Sequence, residues 1–205
     1  MKTVRLYDKG NAPERVDEVV RVLADGGVVA FPTGTTYALG CHALKERAVE
    51  RICKIRGIDP ASHPLSVICY DLSEISAYAH IPTPVFKLMK RNLPGAFTFI
   101  LPGKNRLPKV FRSRKTGEVG IRMPESPIVR ELQHALGAPL MTASLPVGEG
   151  DDPELVTDPE LVAETYGSLV DLVVDGGQGR QGQSTVVNCC GDEPEIVRQG
   201  DGDLR

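Results

Sequence analysis

Helix start signals recur along this chain between short apolar runs rich in β-formers, and that alternation constrains the fold more than any single motif. "DLSE" at 71–74 has the spacing of a capping box, while "TPVFKLMKRN", "SPIVRELQHALG" and "DPELVAETYG" each set a capping residue ahead of a proline. "APERVDEVVRVLADGG" places Val16, Val19, Val20 and Leu23 on one stripe, with Pro13 near its first turn and Gly26-Gly27 as a stop. A further helix is expected over about 45–56. "VVAFPT" and "LSVICY" read as buried strands, as do runs at about 97–101, 119–123, 139–144, 169–174, 184–188 and 195–198. Interleaving of this kind predicts an α/β (α+β) fold, a single domain over 1–205 with helices covering an open twisted sheet. The link "DGGQGRQG" is too short for a helical crossover, so the sheet is expected to mix parallel and antiparallel strands.

A chain of 205 residues can bury roughly 70% of the surface that its unfolded form exposes, and needs no metal or disulfide to do so. The five cysteines contain no C-x-x-C pair, which argues against a zinc site and a disulfide framework and suits a reducing cytoplasm. No apolar stretch approaches a membrane span, and "MKTVRLYDKG" lacks a signal-peptide core, so a cytoplasmic protein without membrane contact is expected.

The net charge of −3 conceals a segregation of charge. Residues 81–122 hold ten basic side chains and one acid, whereas 149–164 hold seven acids and no Lys or Arg. Such a field draws phosphates to one side. Lys87, Lys90, Arg91, Arg112, Arg114 and Lys115 are accordingly candidates for contacts to tRNA or double-stranded RNA, against the plainer reading of a solvated loop.

Gly177, Gly179 and Gly182 spell G-x-G-x-x-G directly after the strand "LVDLVVD". A dinucleotide site would need a helix opening at the third glycine, and "STVVN" reads as a strand, so this reading is set aside. Elsewhere, Lys54 and Arg56 end the 45–56 helix ahead of a loop carrying Gly57, Pro60, His63 and Pro64. Cations there offset the helix dipole, and a Lys with an Arg fork also grips polyphosphate. "FPTGTTYALG", 31–40, reads as a strand ending in the hydroxyls of Thr33, Thr35 and Thr36 and a small-residue turn, a fitting end for polar ligand contacts.

These stretches together resemble the YrdC/YciO family, whose best-known members make threonylcarbamoyl-AMP for tRNA modification. "PTGTTYALG" is similar to PTETVYGLG, "KIRGIDPASHPL" to KxRP…HPL, "PGAFTFIL" to PGPxT, "IRMPESP" to VRxPxxP, "QSTVVN" to ESTVVD and "IVRQG" to LRxG. The resemblance spans nearly the whole chain. It implies a YrdC/RibB-like fold with a cationic concave face, and ATP with Mg²⁺, L-threonine and bicarbonate as the substrate set. Residue by residue, it implies Lys54, Arg56, Ser144 and Arg198 around ATP, with Lys54 and Arg56 catalytic. Thr33, Thr35, His63, Arg122, Thr142 and Ser184 would surround threonine, with Arg122 suited to the carboxylate.

Departures are as informative. Leu145 and Pro146 follow Ser144 where the synthases read SAN, which removes an amide side chain and a backbone N–H. Gly34 stands for the acid of PTET and Gly57 for the proline of KxRP, and "YALGCH" and "IRGI" lie closer to the YciO branch. Three readings follow: a threonylcarbamoyl-AMP synthase or divergent relative, an RNA-binding protein, and an enzyme that removes threonylcarbamoyl from modified tRNA.

Overall fold

The computed structural model describes residues 2–112 and 117–205. Helix α1 (Pro13–Ala24) starts on proline, whose φ is already helical, and buries Val16, Val19 and Leu23. α2 (Glu46–Arg56) stops at Gly57, which adopts φ 60°. Side-chain caps open α3 (Leu72–Tyr78) through Asp71, α5 (Pro127–Leu136) through Ser126 and α6 (Pro159–Tyr166) through Asp158. In α4 (Thr83–Asn92) the expected cap fails: Thr83 lies inside the helix, Pro82 precedes it, and no side chain caps it.

The strands are β1 (Thr3–Arg5), β2 (Val29–Pro32), β3 (Tyr37–His42), β4 (Ser66–Ile68), β5 (Phe97–Pro102), β6 (Glu118–Arg122), β7 (Leu140–Ser144), β8 (Leu172–Asp175), β9 (Thr185–Asn188) and β10 (Glu195–Arg198). They form one open sheet in the order β1-β8-β2-β3-β7-β4-β6-β5-β9-β10. The sheet is mixed: β1/β8, β8/β2, β4/β6 and β5/β9 run parallel and the other neighbours antiparallel. Two strands differ from the sequence reading. β1 was not expected, and neither was β3: the chain turns at 33–36, where the threonines sit, and returns as a strand over 37–42 where a small-residue turn was expected.

Side-chain alternation divides the core between two faces. Leu39, Cys41, Val67, Phe99, Ile121 and Met141 pack with α2, α4 and α6 on one face, where the apolar cover is continuous. On the other, Phe31, Ile68, Leu140 and Leu172 meet α1 and α5, whose cover extends from β1, β8 and β2 as far as the Leu140 end of β7 and the Ile68 end of β4. The rest of that second face carries Ser66, Thr98, Ile100, Gly120, Thr142 and Ser144, which lie outside the cluster built by α1 and α5. The uncovered area is the floor of a cleft.

Residues 176–184 link β8, second from one edge, to β9, second from the other. With strands ~4.8 Å apart and ~3.4 Å of reach per extended residue, this link spans the sheet only when nearly extended over a strongly coiled surface. Its crossing explains the G-x-G-x-x-G pattern. A Cβ on Gly179 would lie 2.7 Å from Thr35 O and 3.3 Å from Thr157 O, so the glycine permits a backbone to pass between two others.

Candidate functional site

The uncovered face and the segments over it enclose a cavity of about 680 Å³. Its floor is a row of paired residues, Thr142 beside Ser66, Ser66 beside Gly120 and Gly120 beside Ile100, with Thr98, Arg122 and Ser144 on the same side of their strands. Gly120 keeps the floor low, because a Cβ there would collide with Ser66 Oγ.

Four segments raise the walls. In the 33–36 turn, Thr33 Oγ1 donates to Thr36 O at 2.9 Å and lies 3.4 Å from Thr35 Oγ1. The loop after α2 is organised by Asp59, which accepts from Ala61 N at 2.9 Å and Ser62 Oγ at 2.8 Å, while His63 N donates to its carbonyl oxygen at 3.2 Å. The bonds from Ser62 and then Ala61 hold the Asp59 carboxyl below the usual carboxylate range. The segment after β7 brings Leu145, Val147, Asp151, Asp152 and Val156, and is fastened where Tyr166 Oη donates to Pro146 O at 2.8 Å. The crossing link brings Gln181 to Ser184, and Arg198 on β10 donates from Nη2 to Ser184 O at 2.9 Å and to Ser184 Oγ at 3.3 Å. Ser184 Oγ in turn lies 2.8 Å from Thr98 Oγ1.

Thr33, Thr35, Arg56, His63, Arg122, Thr142, Ser144, Ser184 and Arg198 therefore share one cavity. Lys54 does not line it. Residues two apart on a helix point to nearly opposite sides, so Arg56 faces the cavity and Lys54 stands exposed on α2. Lys87, Lys90 and Arg91 are exposed on α4, a helix of the covered face, and also lie outside the cavity. Arg112 ends a short 3-10 turn, Lys109–Arg112, and Arg114 and Lys115 fall outside the described residues.

The chemistry of the cavity is set by what its polar atoms lack. Arg56 Nε, Arg122 Nε and Thr142 Oγ1 are buried without a hydrogen-bond partner among the described residues. Burial first, and then the like charge of Arg198, push the Arg122 guanidinium down to about 10, which leaves it charged at neutral pH. Unpaired buried donors are costly, and guanidinium forks match carboxylates and phosphates, so this arrangement suits an anionic ligand with several acceptor oxygens. A neighbouring cavity of about 470 Å³ shares Thr33, Thr35, Arg122 and Ser184, which places these four at a junction. Sequence reasoning overlooked Ser66, Thr98, Gly120 and Tyr166. The signal for two of them was available: Thr98 is the one polar residue of "FTFIL", and Gly120 interrupts the β-forming run of β6.

A family model, Sua5_yciO_yrdC, described as "Telomere recombination", matches residues 21–200. The uncharacterized protein YciO of Escherichia coli (strain K12) is 38% identical over 190 residues, covering 93% of this chain and 91% of that protein. The crystal structure of E. coli YciO superposes with a TM-score of 0.90 at 35% identity, covering 100% of this chain and 98% of that one. The threonylcarbamoyl-AMP synthase of Pyrococcus abyssi is 33% identical over 93% of this chain, which spans 56% of the synthase. P. abyssi Sua5 complexed with L-threonine gives a TM-score of 0.85 at 28% identity, covering 98% of this chain and 58% of that one.

Proposed function

The chain belongs to the Sua5/YciO/YrdC family, and on that premise we propose that its cleft binds ATP, L-threonine and bicarbonate and forms threonylcarbamoyl-AMP. The observation that carries this reading is the set of unpaired donors on Arg56, Arg122 and Thr142 around one cavity. Arg56, Arg198 and Ser144 would meet the phosphates, with Lys54 reaching them only from outside the cleft. Thr35, His63, Arg122, Thr142 and Ser184 would hold the amino acid, Arg122 taking its carboxylate and Thr33 bracing the turn beside it. The complex of P. abyssi Sua5 with L-threonine supports an amino acid in this fold.

The reaction needs no covalent nucleophile. The threonine amine and bicarbonate give a carbamate and water; a carbamate oxygen attacks the α-phosphorus, and the bond to pyrophosphate breaks. Negative charge accumulates on phosphoryl oxygens during that step, where fixed guanidinium groups stabilise it. Mg²⁺ would enter with ATP. Among the described residues no group of three or more His, Cys, Asp or Glu could cage a metal. Asp151 and Asp152 line the cavity, however, and fit an ion held mainly by phosphate oxygens. The fastened Leu145-Pro146 wall makes the protein a divergent member in which turnover is slow.

Purified protein is to be incubated with ATP, L-threonine and bicarbonate, beside a parallel reaction on tRNA carrying threonylcarbamoyl-adenosine. Pyrophosphate release that requires both threonine and bicarbonate is the expected result. Loss of threonylcarbamoyl from the tRNA without ATP, and no pyrophosphate in the first reaction, would replace synthesis with removal.

A further inference from the structure

α3 and α4 pack on the face of the sheet opposite the cleft, and a groove of about 370 Å³ between them shares no lining residue with it. Its first wall is the end of α3, which is fixed to the end of β5. His80 N donates to Pro102 O at 2.8 Å, Lys104 N to Tyr78 O at 2.7 Å and Lys104 Nζ to Ser76 O at 2.5 Å. The second wall is α4, from which Thr83 and Phe86 line the groove. Thr83, Phe86, Lys87 and Lys90 keep the i, i+3, i+4, i+7 spacing of one helical stripe, so two exposed lysines continue the wall that Phe86 begins.

A lone exposed phenylalanine carries no meaning by itself. Phe86, however, is 39% exposed within a stretch of one sign: residues 75–112 hold seven Lys and Arg and no Asp or Glu. Asp71 and Glu74, the acids ahead of this stretch, are engaged at the start of α3, where Asp71 Oδ1 accepts from Glu74 N at 2.7 Å and Glu74 Oε2 from Tyr70 N at 2.8 Å. An aromatic ring among cations suits single-stranded nucleic acid, whose unpaired bases offer a face for stacking while the backbone meets positive charge; a duplex hides those faces. We propose that the groove between α3 and α4 takes an unpaired base of a single-stranded nucleic acid, stacked on Phe86, with the flanking phosphates on Lys87, Lys90 and Lys104. The Lys104 ammonium has two hydrogens beyond the one given to Ser76.

The sequence contains no tryptophan, so Phe86→Trp sets a single fluorescent reporter in the groove of the intact chain. An adenylate decamer, supplied as RNA and as DNA to distinguish the two sources, should quench that reporter saturably. In fluorescence anisotropy with labelled decamer, Phe86→Ala should bind at least about fivefold more weakly than wild type, and Phe86→Tyr should restore the affinity. A duplex of the same length should leave the reporter unquenched. No saturable binding of either decamer by the wild-type chain, wild-type affinity in Phe86→Ala, or a tryptophan at 86 that stays bright when the decamer binds would each overturn the proposal. Should Phe86→Ala fail to fold, the wild-type titration and the quenching in Phe86→Trp still decide it. The cleft and its ligands play no part in these measurements, so either reading can fail without the other.

Discussion

Tyr166 Oη donates to the carbonyl oxygen of Pro146 at 2.8 Å, and this bond joins α6 to the segment that forms one wall of the cleft. Leu145, beside it, is 1% exposed. Of the two residues that stand where the resemblance places the Ala-Asn of the synthases, Leu145 is therefore core, and Pro146 is a fastening point through its main-chain oxygen.

Restoring the synthase residues should consequently carry a stability cost. Leu145→Ala with Pro146→Asn is expected to lose ~2–5 kcal/mol, as buried leucines do on truncation, in urea unfolding. Tyr166→Phe should lose only ~1 kcal/mol while raising the KM for ATP several-fold at unchanged kcat. An unaltered KM in Tyr166→Phe would mean that the tether supports the fold and not the site.

Arg56 and Lys54 should separate when mutated singly. Arg56→Ala removes a guanidinium that lines the cavity and should weaken ATP or pyrophosphate binding by ~1.5–3 kcal/mol. Lys54→Ala, on the exposed side of α2, should change binding by less than about 0.5 kcal/mol. Calorimetric titration of both variants is the measurement, and equal losses would place Lys54 in the site.

Arg122 should show a trade between stability and ligand binding. Its Nε is buried without a partner among the described residues and Arg198 adds a like charge, so the guanidinium weakens the unliganded fold. Arg122→Met, of similar volume, should be as stable as wild type or more so, yet lose binding of an amino-acid carboxylate. A destabilised variant that still binds L-threonine would refute both halves.

How much was legible beforehand follows from the range of the interactions involved. Asp71, Ser126 and Asp158 cap within three residues, so their helices could be read locally. The cluster around Arg122 came through because its motifs resemble family segments. β1 was not legible, since its three residues owe their strand to pairing with β8 far along the chain. Nor was the use of Gly179, whose neighbours Thr35 and Thr157 meet it only in three dimensions. The separation of Lys87, Lys90 and Arg91 from the cleft is likewise a matter of which sheet face α4 covers.

That separation is testable. Lys87→Ala with Lys90→Ala and Arg91→Ala should lower the slope of log affinity against log salt for tRNA by up to about three units while leaving ATP binding unchanged. No salt-sensitive tRNA binding by the wild-type chain would remove these residues from consideration as an RNA surface.

Glu74 provides a test of the structure through pH. Its carboxylate accepts from Tyr70 N at 2.8 Å and from Gln133 Nε2 at 3.1 Å, yet burial outweighs these bonds and raises its pKa above the ordinary 4.5. The folded chain thus holds this proton more tightly than the unfolded chain. The resulting stability is fully present below pH 4.5 and is lost as pH rises through the elevated folded value. Glu74→Gln keeps an oxygen that can accept both bonds and removes the charge. The variant should match wild type in urea midpoint at pH 4, exceed it at pH 7, and lose the fall between them. A midpoint for Glu74→Gln below wild type at pH 7 would show that the charged form is the one this pocket favours.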